Sequence, residues 1–333
     1  MKALLSIEPG GPETLVLSEV ADPVPGPGQV LIATRAASIN FPDTLMIRDL
    51  YQFKPQRPFA PGGEVAGVVE AVGDGVTRVQ PGDRVAALTM HGGLGEKVLA
   101  AQNKCFAIPD GLGFEAAATV LFTYGTTIHA LKDRAHIKPG DTLLVLGAAG
   151  GTGISAIELG KAFGARVVAA VSSEEKAALV REAGADEVVI YPHAPLGKDQ
   201  SRALAEAFKK ACGRDGANIV YDAVGGDYSE PALRATAWEG RFLVVGFPAG
   251  IARLPLNLPL LKSCDICGVF WGAFIERDPA KFEAQVAELF ALLEGGKIKP
   301  RIGSVLPLER GGDAIALLAD RKALGKVVVR IGD

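Results

Sequence analysis

Short apolar runs separated by turn residues dominate the first third of the chain. The runs at 30–33, 65–69, 85–88 and 97–99 are rich in Val, Leu and Ala, and Pro23-Val-Pro-Gly-Pro-Gly28 and Pro81-Gly-Asp83 break the pattern between runs. This texture predicts a coiled, strand-rich domain. Near residue 112 the pattern changes. Helical spacing predicts helices at 115–121, 125–135, 174–183, 203–211 and 228–237, and short buried runs predict strands at 141–146, 166–171, 187–190, 218–222 and 241–246. Such alternation is the mark of a doubly wound parallel sheet. The tail predicts helices at 282–294 and 313–321 and a closing strand at 326–329.

The densest pattern is LLVLGAAGGTGISAIELGKAFGARVVAAVSS, at 143–173. It reads strand, glycine turn, helix, strand. A helix beginning at such a turn aims unpaired N–H groups at an anion; Gly150 lets the backbone approach a pyrophosphate, and Gly153 lets the helix lie close on the strand. Ala149, Gly150, Gly151, Thr152 and Gly153 are the candidate contacts, with Gly147 opening the turn. A strict GxGxxG is absent, because Ala148 holds the first place, so a plain tight strand-to-helix turn is the competing reading. No Gly-Lys-Ser/Thr closes the loop, which excludes a Walker A motif.

Where the second strand ends, a ribose-binding site usually carries an acid. Here the chain reads Ser172-Ser173-Glu174-Glu175-Lys176. The two glutamates suit the first turn of the next helix. Two hydroxyls and an ammonium suit a 2′-phosphate better than a ribose diol, so the expected coenzyme is NADPH rather than NADH. Lys176 alone would also fit a solvated helix face.

With 333 residues, 48% hydrophobic, the chain can build two cores. A net charge of -3 argues against nucleic acid and anionic membranes as partners. The N-terminal stretch lacks a leader pattern and no apolar run is long enough to span a bilayer, so a cytoplasmic protein is expected. Four cysteines do not make a disulfide framework; Cys264 and Cys267 read as small residues of an apolar run.

Taken together, NFPDTLMIRDLYQFKPQRPFAPGGEVAGVVEAVG, PGDRV, AAATVLFTYGTTIHAL, AAGGTG, KAALVREAGADEVVIY, YDAVGG and RKALGKVVV resemble the zinc-free medium-chain dehydrogenase/reductases of the NADPH:quinone oxidoreductase (zeta-crystallin-like) group. The resemblance spans essentially the whole chain. It implies an α/β protein with a GroES-like catalytic domain (residues 1–124 and 270–333) and an inserted Rossmann domain (125–269). It also implies an active site in the cleft and a homodimer, often joined edge to edge through the Rossmann sheets. Zinc relatives carry Gly-His-Glu where this chain has Gly62-Gly63-Glu64, and Gly63 supplies no ligand. No zinc site is therefore expected. His91, His129, His136 and His193 show no ligand spacing, and His129 and His136 read as structural.

By the same resemblance, Asn40 and Tyr51 are the candidate catalytic residues. Tyr124 and Thr126 lie where the chain enters the nucleotide domain. Ser172, Lys176, Tyr191 and Arg321 resemble a 2′-phosphate shell. Gly246, Phe247, Phe270 and Trp271 resemble the nicotinamide wall, and Lys326 resembles a residue facing the coenzyme. Each has a plainer alternative. Tyr51 fits loop packing, Asn40 a turn, Arg321 a helix cap, and Phe270 and Trp271 interdomain core. Asp43 and Glu64 read as structural. One departure stands out: the group commonly has Gly-x-Tyr where this chain has Asp49-Leu50-Tyr51.

Without a metal, a conjugated acceptor is the easier hydride acceptor, because the incoming charge spreads over its oxygen. The first expectation is an NADPH-dependent quinone reductase. The second is a reductase of α,β-unsaturated carbonyls or 2-enoyl thioesters, with Lys54 and Arg57 as candidate basic residues at the mouth. A non-catalytic NADPH-binding protein, structural or sensing, is the third.

Overall fold

Strand Gln29–Ile39 organises the first unit. In the computed structural model, which describes residues 1–332, this 11-residue strand is long enough to take partners on both edges. Glu64–Val72 pairs along one edge. On the other, Lys97–Ala101 pairs with its first half and Lys326–Arg330 with its second, all antiparallel. Arg84–Leu88 and Cys105–Ala107 extend the sheet one way and Ile302–Pro307 the other. A separate hairpin joins Lys2–Leu5 to Val16–Glu19. Alternate residues of these strands, among them Val30, Ile32, Ile39, Val65, Val85, Val327 and Val329, are buried in one core. Each buried Val or Ile side chain contributes about 1.5–3 kcal/mol. The unit comprises residues 1–122 and 300–333.

The second unit, Thr123–Lys299, holds the parallel sheet. In spatial order its strands are Glu187–Ile190, Arg166–Val171, Thr142–Leu146, Ala217–Asp222, Thr236–Val244 and Asp265–Gly268. Numbered along the chain this is 3-2-1-4-5-6, the doubly wound order, with a switch point beside the first strand. Leu143 to Leu146 and Val167 to Ala170 are wholly buried, as strands covered on both faces must be.

Three expectations need correction. The helix expected at 115–121 is a single turn, Phe114–Ala117. The Phe122 N–H is taken by the Glu64 carboxylate at 2.8 Å, so tertiary contact overrides helix propensity there. The helix expected at 228–237 ends at Ala235, and strand Thr236–Val244 begins at once, with Glu239 at a positive φ of 56° where the pairing register shifts. The return to the first unit falls at 299/300, not 269/270. Helix Pro279–Glu294, which buries Phe282, Val286 and Leu289, packs on helix Thr123–Ile128 and belongs to the parallel-sheet unit.

Candidate functional site

The glycine loop follows the first parallel strand. Gly147 turns the chain at φ 65°, Gly150 is extended, and helix Gly151–Ala162 begins one residue later. The first N–H groups of that helix have no carbonyl a turn earlier to bond. A Cβ on Gly153 would lie 2.3 Å from the Gly147 carbonyl oxygen and 2.6 Å from Ala148, so only glycine lets the helix lie this close to the strand end. At Gly150 the nearest atom to such a Cβ is 3.5 Å away. The absent side chain there leaves room for a ligand rather than for the fold.

Buried polar contacts lock this helix from behind. The Tyr124 hydroxyl donates to Glu158 Oε2 at 2.7 Å, and the Lys299 N–H donates to the same oxygen at 2.9 Å. Thr127 Oγ1 lies 2.7 Å from Ser155 Oγ and 3.0 Å from the Tyr221 hydroxyl. Tyr124 thus supports the glycine helix from within. Thr126, on the same helix, is also buried.

At the end of the second parallel strand, Ser173 caps helix Glu174–Glu182 by accepting from the Lys176 N–H. Lys176 Nζ donates to Ser172 Oγ at 3.2 Å. The hydroxyl and ammonium sit together, and neither position 172 nor 173 is an acid. Tyr191 follows the third strand, is buried, and packs on Tyr228 with ring centroids 4.6 Å apart. Asp222, at the end of the fourth strand, was not singled out by sequence. It accepts from the Val224 and Gly225 N–H groups and from Ser229 Oγ, and burial raises its pKa. Its carboxylate closes a turn and faces inward. Gly246 and Phe247 follow the fifth strand, with Phe247 exposed beside Gly225. Phe270 is exposed. Trp271 is buried against Gly125 and meets Phe282 edge-on at 5.8 Å.

The first unit holds a buried charged cluster created by strand register. Val327 stands opposite Ile39, and Ser38 opposite Glu64. That register brings Lys326, Asn40 and Glu64 together. Lys326 Nζ donates to Asn40 Oδ1 at 2.7 Å and lies 3.5 Å from Glu64 Oε2. Asn40 Nδ2 donates to the same Glu64 oxygen at 3.0 Å and to the Ser38 carbonyl at 3.3 Å. Asp43 accepts from the Asn40 and Gly62 N–H groups. Glu64 is 0% exposed and Lys326 4%. Burial lowers the Lys326 pKa against the pull of Glu64 and Asp43. Burial pushes the Asp43 carboxyl up to about 6, although both N–H donors oppose the shift.

Both ends of the Asn40 amide are therefore committed. Tyr51 differs. It is half-buried, and its hydroxyl has no hydrogen-bond partner among the described residues. Burial, with a smaller push from Asp43, raises its pKa. Arg321 is exposed at φ 59° in the turn after helix Gly311–Ala319, so it and Lys326 lie in the first unit while Ser172, Lys176 and Tyr191 lie in the second. The Lys326–Glu64 pairing escaped the sequence reading. The only local sign was a lone Lys opening an apolar strand, and its partner lies hundreds of residues away.

The donor set does not fit zinc. No three His, Cys, Asp or Glu side chains among the described residues group to hold a metal. Gly63 contributes no ligand, and an ammonium already sits against Glu64. The glycine helix and the Ser172–Lys176 pair do fit a phosphorylated dinucleotide. No helix among the described residues is long and apolar enough to cross a membrane.

Comparison with known proteins agrees with this geometry. Residues 26–126 match the family described as alcohol dehydrogenase GroES-like domain, and residues 151–291 the one described as zinc-binding dehydrogenase. The chain is 38% identical to rat quinone oxidoreductase-like protein 2, over 96% of this chain and 89% of that one. It is 33% identical to human quinone oxidoreductase, over 99% of this chain and 97% of that one. Among solved structures, a mycobacterial protein complexed with NADPH superposes with a TM-score of 0.91 at 32% identity, covering 99% of this chain and 100% of the other.

Proposed function

Since the chain belongs to the zinc-independent quinone oxidoreductase group of the medium-chain dehydrogenase/reductase superfamily, we propose that it is an NADPH-dependent quinone reductase. The observation that carries the coenzyme choice is the Lys176 ammonium on Ser172, with no acid at the end of the second parallel strand. NADPH-bound relatives support it. When bound, NADPH supplies the hydride. The helix that begins at Gly151 holds the pyrophosphate, with Ala149, Gly150 and Thr152 lining the loop and Gly153 setting its depth. Ser172 and Lys176 take the 2′-phosphate. Tyr191 shapes that subsite by packing. Thr126, Gly246, Phe247 and Phe270 flank the nicotinamide, with Tyr124 and Trp271 as the buried support behind them.

In the acceptor site, Tyr51 is the donor. Like any tyrosine it is protonated at neutral pH, and its free hydroxyl can donate to the quinone oxygen where negative charge grows. Asn40 is a scaffold for this site rather than a second donor, because Lys326, Glu64 and Ser38 hold its amide. Four unpaired cysteines suit a reducing cytosol. The exposed sheet edge at Asp265–Gly268 supports a homodimer.

Steady-state assays test this reading. With NADPH, a small quinone should turn over faster than a 2-enoyl thioester. A faster thioester would move the assignment to the enoyl reductases. Lys176→Gln should raise the NADPH KM roughly tenfold, the value of one charge-assisted hydrogen bond, and leave the NADH KM unchanged. An equal effect on both coenzymes would remove Lys176 from the 2′-phosphate subsite.

A further inference from the structure

Helix Phe41–Met46 runs on into a turn that ends with two characteristic bonds. The Leu50 N–H donates to the Leu45 carbonyl at 2.9 Å, and the Asp49 N–H to the Met46 carbonyl at 3.1 Å. This is a Schellman ending, and its left-handed position usually goes to glycine. Here Asp49 fills it at φ 56°. A residue with a Cβ carries a backbone cost there. Its carboxylate is engaged by Arg57 Nη1 at 2.7 Å, with the Arg57 side chain 16% and the Asp49 side chain 33% exposed. The same guanidinium donates to the Ile47 carbonyl at 3.0 Å and to Ser6 Oγ at 3.3 Å.

A second set of contacts leaves Arg57 in the other direction. Its guanidinium lies 5.4 Å from the centroid of Phe59. Phe59 meets His91 edge-on at 5.8 Å, and His91 stacks on Phe53 at 6.2 Å with 18° between the planes. Asp49 and Phe53 lie two residues to either side of Tyr51. Both flanks of the tyrosine therefore trace back to one arginine.

We propose that Arg57 is a positioning residue for the acceptor. It clamps the 49–53 loop through Asp49 on one side and Phe59, His91 and Phe53 on the other, so that Tyr51 is held half-buried in one orientation. The inference rests on the reading of Tyr51 as donor to the quinone. It also gives Arg57 a role other than charge at the mouth of the site.

Two measurements on the full chain test it. The first is spectrophotometric titration of Tyr51, taken as the difference from a Tyr51→Phe control. Removing a nearby cation by itself raises a phenol pKa, whereas releasing the loop into water lowers it toward the ordinary value. The clamp predicts a fall in Arg57→Ala; a rise or no change overturns it. The second is kinetics with 1,4-benzoquinone and NADPH. Asp49→Gly, which suits the left-handed backbone and so keeps the fold, should raise the quinone KM about fivefold, the scale of one good ion pair. The NADPH KM should not move. Asp49→Gly should add nothing to Tyr51→Phe. An additive double variant, or unchanged kinetics in Asp49→Gly, overturns the clamp. If the wild-type chain reduces no quinone, the functional reading fails while the titration still decides the clamp.

Discussion

Two glycines, three and six residues past the turn's opening at Gly147, do different work. Gly153 is required by the fold, since a Cβ there would strike backbone that cannot move aside. Gly150 has space around it, so its lack of a side chain matters only when a ligand approaches. Gly153→Ala should lower stability by about 1–3 kcal/mol, the usual cost of overpacking, and weaken NADPH binding. Gly150→Ala should leave thermal unfolding nearly unchanged and still weaken binding. Paired unfolding and NADPH titrations separate the two; equal thermal losses would contradict the assignment. The sequence already showed that these residues build a phosphate turn, because loop, helix start and flanking strands are all local. Ligand approach at Gly150 and helix packing at Gly153 were legible too, and the space around each agrees; how tightly Gly153 is held was not, since that depends on where the Gly147 carbonyl lies in space.

At the scale of elements, the charged cluster joins the ends of three strands in the first unit. Glu64 opens one, Asn40 follows another, and Lys326 opens the third. Local patterning found apolar runs at all three places. It could not find the cluster, because the contacts arise from register across a sheet. The Asp43 carboxyl beside it gives this arrangement a pH signature. Its pKa is about 6 in the folded chain against an ordinary value of 3.8. The folded state holds that proton more tightly, so the contribution to stability is full below pH 3.8 and is lost as pH rises through about 6. Denaturant titrations from pH 4 to 6.5 should show this fall, worth roughly 3 kcal/mol at most, and Asp43→Asn should flatten it. A carboxyl NMR titration of the intact chain with the Asp43 midpoint below 4 would reject the assignment.

For the molecule as a whole, the alternation of strands and helices announced the parallel sheet, while its spatial order, 3-2-1-4-5-6, is visible only in the structure. The last strand was missed. Asp265–Gly268 is only four residues long and largely exposed, so it lacks the continuous apolar run that marks its buried neighbours. That weakness in the pattern has a physical meaning. The strand pairs on one side only, and no other strand among the described residues covers its other edge. Ile266 on the strand, Trp238 on its neighbour, and Leu260 and Leu261 on helix Asn257–Lys262 are all exposed. An edge strand with exposed apolar neighbours is a template for further pairing. The proposed homodimer uses it, each copy closing the other's sheet. Ile266→Lys places an ammonium on that edge, which the fold of one chain tolerates and an apolar interface does not. Light scattering on the purified chain should then report a dimer for the wild type and a monomer for the variant, with thermal unfolding of the two compared at equal concentration. A variant that remains a dimer would move the interface away from this edge.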